Sequence, residues 1–110
     1  MKLTEQKCVA CEGGVNPFSL REIEILLKQT PDWVLLPDQK TIARKFKFKD
    51  FKEALVFVNR VGDIAEDEGH HPDIHLINFR EVDIHLRTHA IDGISQNDFI
   101  VAAKIDEVKV

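Results

Sequence analysis

Apolar positions recur along the chain first at helical spacing, then by alternation, then helically again. Ser19-Leu20-Arg21-Glu22 has capping-box form, a hydroxyl followed three positions later by a carboxylate. Leu20, Ile23, Leu26 and Leu27 then repeat with the period of one helix face, predicting a first helix to about Gln29 that Thr30-Pro31-Asp32 stops. Trp33-Val34-Leu35-Leu36 reads as a short apolar strand closed by Pro37-Asp38. The run Thr41 to Phe48, with Ile42, Phe46 and Phe48 on one parity, predicts its hairpin partner, polar positions facing water. Asp50-Phe51-Lys52-Glu53 repeats the capping pattern and opens the longest helix, whose expected buried stripe is Phe51, Ala54, Leu55, Val58, Val61 and Ala65. Gly69 is placed to end that helix with a left-handed residue.

Two more strands are expected, from about Ile74 to Phe79 and from Glu81 to Thr88. In the second, Val82, Ile84 and Leu86 alternate with Asp83, His85 and Arg87, the pattern of a sheet with one covered and one wet face. Ser95-Gln96-Asn97-Asp98 is a third capping box, opening a helix that should bury Phe99, Ala102, Ala103 and Ile105. The order α-β-β-α-β-β-α with short connections predicts an α+β fold, a four-stranded antiparallel sheet with helices packed on one face. Residues 1–17, punctuated by Gly13-Gly14 and Asn16-Pro17, read as an extended, loosely ordered lead-in, and 18–110 as a single domain.

Composition narrows the function classes. With 110 residues the chain makes one domain, able to bury roughly two thirds of its unfolded surface. Its 44% apolar and 31% charged residues are those of a soluble globular protein. The net charge is −4, and basic residues are dispersed apart from a small cluster between Lys40 and Lys52, so no nucleic-acid partner is expected. No apolar run approaches the ~20 residues that span a bilayer. The opening Met1-Lys2-Leu3-Thr4-Glu5-Gln6-Lys7 lacks the apolar stretch of a secretory signal, so the expectation is a cytoplasmic protein with no membrane partner. Cys8 and Cys11 form the one Cys-x-x-Cys. Reduced, non-catalytic thiols are the leading reading, with a histidine-completed zinc site or a redox pair as alternatives.

All five histidines fall between Glu66 and Asp98, and imidazole is the side chain whose ordinary pKa, about 6.5, lies nearest neutrality. Glu66 and His70 are four apart at the end of the long helix, so the carboxylate could orient the ring if helical geometry persists. On spacing alone a solvated helix-end pair with no task is the leading reading. His71 precedes Pro72 and is therefore held extended, aimed away from the helix axis. His71 and His75, and likewise His85 and His89, are spaced like metal ligands on a helix. On a strand, however, residues four apart lie ~13 Å from each other, so no metal is expected. His85 sits with the polar positions and should be solvated, His75 is structural or exposed, and His89 ends its strand beside the loop Ala90-Ile91-Asp92-Gly93-Ile94. Asp98 has a purely structural explanation as the third residue of a capping box.

Together these residues resemble the pterin-4a-carbinolamine dehydratase family. Its signature is an acidic residue, three others, His-His-Pro, an aromatic, a later His and then an Asp. Glu66, His70-His71-Pro72, Phe79, His89 and Asp98 meet every spacing. Val82-x-Ile84-x-Leu86-x-Thr88-His89, Ala102-Ala103-x-x-Asp106 and the opening Cys8-x-x-Cys11-Glu12-Gly13-Gly14 are similar to family sequence too. Ile74 departs from it, since some members carry a tryptophan there. The resemblance implies dehydration of a 4a-hydroxytetrahydropterin to quinonoid dihydropterin with no metal and no bound cofactor. In that chemistry the N5 lone pair expels the hydroxyl once it is protonated, and the cation then loses a proton, so one acid and one base suffice. It implies His70 and His89 as proton donor and acceptor on either side of the ring, His71 as the residue orienting the pterin, and Glu66 orienting and polarising His70. Pro72, Thr88 and Ala90 would shape the pocket wall, and Asp98 would tie the last helix to the loop carrying His89. It further implies a homodimer or homotetramer and a link to an aromatic amino acid hydroxylase whose cofactor is recycled, or else a molybdopterin-related task. Animal members also serve as dimerization cofactors for a homeodomain transcription factor, so a docking role stays open.

Overall fold

The computed structural model of the protein describes residues 2–9 and 16–110. Helix α1 spans Leu20–Leu27, strands β1 and β2 span Val34–Leu35 and Ile42–Lys47, and helix α2 spans Phe51–Glu68. Strands β3, Asp73–Ile77, and β4, Glu81–Leu86, lead through a 3-10 turn at His89–Ile91 into helix α3, Gln96–Asp106. The sheet order is β1-β2-β4-β3 with every neighbouring pair antiparallel, the α+β arrangement that the pattern predicts.

β4 is central, and its alternation sets the layers. Val82, Ile84 and Leu86 are fully buried and lie opposite Phe46, Arg44 and Ile42 of β2. They join Ala54, Phe57 and Val61 of α2, Phe99 and Ile105 of α3, and Ile23 of α1 in a single hydrophobic core, so the helices cover one face of the sheet. Trp33 is buried in the same core, and its indole N–H donates to Asp106 Oδ1 at 2.8 Å, where Arg44 Nη1 also donates at 2.6 Å. This pins the end of α3 to the β1–β2 edge. No helix among the described residues is long and apolar enough to cross a membrane.

Several local expectations shift. The buried face of α2 runs through Ala54, Phe57, Val61, Ala65 and Glu68, while Phe51 and Leu55 stand exposed. The stripe is thus rotated toward Phe57. Phe79 is not a strand residue: the register pairs Ile77 with Glu81, so the intervening residues must turn, and Asn78 and Phe79 both take positive φ. Asp83, His85 and Arg87 are half-buried rather than wet. The His85 ring lies 5.1 Å from that of His75, and its Nε2 is 3.2 Å from Asp83 Oδ2. Near the N-terminus a 3-10 turn, Leu3–Glu5, buries Leu3 in the core, so this part of the lead-in is docked.

Two glycines hold the ends of the elements that frame the cavity described below. Gly69 takes φ 64°, with open space where a Cβ would stand, whereas a Cβ on Gly93 would fall 2.5 Å from the Pro17 Cβ. Gly69→Ala is therefore expected to cost only the left-handed backbone penalty, about 1–2 kcal/mol. Gly93→Ala should cost about 1–3 kcal/mol by overpacking, with the Pro17 contact displaced as well. Urea unfolding measures both, and an unchanged midpoint for Gly93→Ala would show that Pro17 yields freely.

Candidate active site

The site begins where α2 stops. Gly69 reverses the chain in the left-handed region, and its N–H and that of His70 both close on the Ala65 carbonyl. That reversal breaks the helical relation between Glu66 and His70. The expected Glu66–His70 pair is not formed. Glu66 Oε2 instead meets His71 Nε2 at 2.6 Å, and His70 Nε2 lies 2.6 Å from Asp98 Oδ1.

The two pairs differ in environment. The Glu66 and His71 side chains are 79% and 63% exposed, so water screens their attraction and it contributes little to stability. Asp98 is completely buried and His70 nearly so. Asp98 Oδ2 accepts from Thr88 Oγ1 at 2.8 Å and from the Ser95 backbone N–H at 3.0 Å. The second bond closes the predicted capping box of α3. A carboxylate offers lone pairs only, so the hydrogen of the His70–Asp98 bond belongs to His70 Nε2, and Nδ1 is left as the ring's other nitrogen. Thr88 Oγ1 is also 2.7 Å from Ser95 Oγ, which ties the end of β4 to the start of α3.

Thr88 exchanges backbone hydrogen bonds with Gly93, closing the loop that carries His89. At the base of this loop Asp92 takes φ 50°, and its carboxylate is gripped by Arg87 and by Lys40, the latter at 2.7 Å. The hydrogen bond and charge of Lys40, with Arg87 adding to them, hold the Asp92 carboxyl below the usual carboxylate range.

A cavity of about 530 Å³ opens between these segments, a size suited to a small heterocycle. Among the residues singled out by sequence, His70, His71, Thr88, His89 and Ala90 line it. Asp98 stands behind His70, while Glu66 and Pro72 are not in the wall. Phe79 sits in the β3–β4 turn and is likewise outside it. Gly69, expected as the helix end, adjoins them, and Val9, Glu68, Arg87 and Asn97 complete the lining without having been anticipated as site residues.

Glu68 and Asn97 hold the N-terminal segment against the site. Glu68 Oε1 accepts from the Cys8 N–H at 2.9 Å, and its Oε2 takes Lys104 Nζ at 2.7 Å. Burial alone would raise the Glu68 carboxyl, but the Lys104 and Cys8 hydrogen bonds outweigh it and leave the group below its ordinary value. The Cys8 thiol points to the Asn97 carbonyl at 3.6 Å. Burial, then the nearby Glu68 charge, pushes it up to about 12. Cys11 lies outside the described residues, so the fate of the Cys-x-x-Cys as a pair is not described.

Comparison with known proteins follows the same lines. The family model described as pterin 4 alpha carbinolamine dehydratase matches residues 16–108. The chain belongs to this family. A protein of Halorhodospira halophila, provisionally named a pterin-4-alpha-carbinolamine dehydratase, is 48% identical over 106 residues, 96% of each chain. One of Rubrobacter xylanophilus with the same provisional name is 45% identical over 107 residues, covering 97% of this chain and 98% of its own. A crystal structure from Brucella melitensis, titled a transcriptional coactivator/pterin dehydratase, superposes with TM-score 0.76 at 32% identity. That match covers 83% of this chain and 96% of the other. The family match begins after the segment clamped by Glu68 and Asn97, whereas the two bacterial relatives align over nearly the full length.

A thiol held protonated is a poor nucleophile and a poor metal ligand. Alkylation of Cys8 by iodoacetamide at pH 8, followed by peptide mass mapping of the folded protein, is expected to lag an unperturbed cysteine by at least about a hundredfold. Alkylation at the unperturbed rate would show that the segment leaves its seat.

Proposed function

We propose that the protein dehydrates a 4a-hydroxytetrahydropterin to quinonoid dihydropterin by histidine acid/base catalysis, and thereby recycles a tetrahydropterin cofactor. The observation that carries this reading is that His70 and His71, from the end of α2, and His89, from the turn after β4, line one cavity. Family membership supports the reaction class, a hydro-lyase acting on a pterin carbinolamine.

The chemistry needs a proton given and a proton taken. As the N5 lone pair forms the C4a–N5 double bond, the C4a–O bond breaks, and the departing hydroxyl takes a proton from one imidazole and leaves as water. The cation then gives a proton to the other imidazole, and the pair is restored by exchange between them or with solvent. With Nε2 committed to Asp98, His70 works through Nδ1. Asp98 fixes the tautomer and stays an acceptor throughout. His71, hinged on Glu66 at the rim, orients the ring. The backbone about Thr88 and Ala90 forms the wall, and Pro72 holds His71 extended. Glu66 is therefore assigned to His71 and Asp98 to His70, in place of the roles that helical spacing implies.

Association between copies belongs to the same reading. Phe51 and Leu55 are exposed large apolar side chains on α2, and β3 is a sheet edge ending in exposed Ile77. These surfaces support a homodimer or homotetramer. The link to an aromatic amino acid hydroxylase rests on the reaction alone.

The test is turnover of chemically generated carbinolamine. His70→Ala and His89→Ala are each expected to lower kcat at least about a hundredfold, Asp98→Asn by at least about tenfold, and the exposed Glu66→Gln by less than about tenfold. Wild-type turnover in both histidine variants would reject the mechanism.

A further inference from the structure

The segment Lys7–Val9 is held in a way that a passing chain terminus does not require. The Asn97 side-chain amide reads the Val9 backbone in both directions: Oδ1 accepts from its N–H at 3.1 Å, and Nδ2 donates to its carbonyl at 2.6 Å. One residue earlier, Glu68 takes the Cys8 N–H at 2.9 Å. Asn97 and Glu68 are themselves buried, and Glu68 is anchored in turn by Lys104 at 2.7 Å. Both clamps therefore sit on rigid helix ends. Asn97 adjoins Asp98, so the start of α3 fixes this segment and His70 at once.

With its backbone groups taken, Val9 still stands 72% exposed as a residue, at the wall of the same cavity that His70, His71 and His89 line. A lone exposed valine needs no explanation. One seated by both its backbone groups on a cavity whose other named side chains are largely polar adds an aliphatic contact for a flat ring.

We propose that Lys7–Val9 forms a wall of the substrate pocket, with Val9 contacting the pterin and Asn97 acting as the positioning residue that sets it. This rests on the pterin reading above and adds to it a specificity-determining element outside the matched family region. Deleting two methyl groups that the ring covers only in part weakens binding by about fivefold, short of the roughly fifteenfold that full burial of both would give.

The experiment uses the full chain and two readouts: the Kd for dihydrobiopterin by titration calorimetry, and KM and kcat for the carbinolamine. Val9→Ala, at an exposed position that cannot unfold the protein, should raise Kd and KM about fivefold with kcat changed less than about twofold. Asn97→Ala should raise both at least as far, and adding Val9→Ala to it should raise them little more, because the wall is already displaced. Unchanged Kd and KM in Val9→Ala overturn the proposal, and fully multiplicative effects in the double variant overturn the role of Asn97. If the wild-type protein binds dihydrobiopterin without turning over carbinolamine, the catalytic reading fails and the Kd comparison alone decides the wall. If it does neither, both readings fall.

Discussion

A carboxylate with no access to water has to be surrounded by donors, and the fold around Asp98 is arranged to meet that requirement. Its partners come from three places: the His70 ring at the exit of α2, the Thr88 hydroxyl at the end of β4, and the Ser95 N–H at the start of α3. Losing any one would leave a buried anion short of a partner, which is more costly than an ordinary lost hydrogen bond. Its place in the first turn of α3 adds the positive end of the helix dipole. The consequence is geometric. The ends of α2 and β4 and the start of α3 cannot drift relative to one another without exposing the charge, so the imidazole they present to the cavity is held in one orientation and one tautomer.

Glu68 repeats the device at the end of α2. Its carboxylate is buried, takes Lys104 from α3 and the Cys8 N–H from the N-terminal segment, and so crosslinks α2 to α3 a second time. Buried ion pairs of this kind contribute little net stability, because the desolvation cost offsets most of the attraction. What this one contributes is registry between the end of α2, which borders the pocket, and the last turn of α3. The bulk of the stability comes from the core under β4, where Val82, Ile84 and Leu86 meet Phe57 and Phe99. Stability and site geometry thus rest on different residues of the same layers.

The parts of this arrangement that follow local rules were readable in the chain. The caps at Ser19 and Ser95 form closed boxes, Asp50 caps α2 through the Glu53 N–H, and Gly69 ends it at φ 64°. Alternation in β4 gave the layer order. What failed was any inference that carried a period past its element. Glu66 and His70 share a face only while the helix continues, and Gly69 ends it between them. Phe79 has a strand-forming side chain, but the Ile77–Glu81 register demands a turn there. Phe51 and Leu55 lie at the margin of a stripe whose centre is fixed by packing on Phe57. Val9, Glu68 and Asn97 were invisible for a different reason. The bonds that seat the N-terminal segment join positions 60 to 89 apart, and no short-range pattern encodes such a meeting.

Asp98 shows why a structural explanation of a residue does not exclude a functional one. As the third residue of a capping box it accounts for itself completely, and only the family resemblance gave it a further, supporting task. The two tasks use different atoms. Oδ2 faces the Ser95 N–H and the Thr88 hydroxyl and closes the cap, and Oδ1 is left to the His70 ring. A cap built from glutamate, the usual partner in such a box, would bring a longer and freer arm to the same position. The shorter aspartate reaches the N-cap with one oxygen and holds the other at a fixed point on the inner side of the helix. The local rule that starts α3 and the constraint that aims His70 are therefore met by one rigid group, and the helix end itself becomes part of the site.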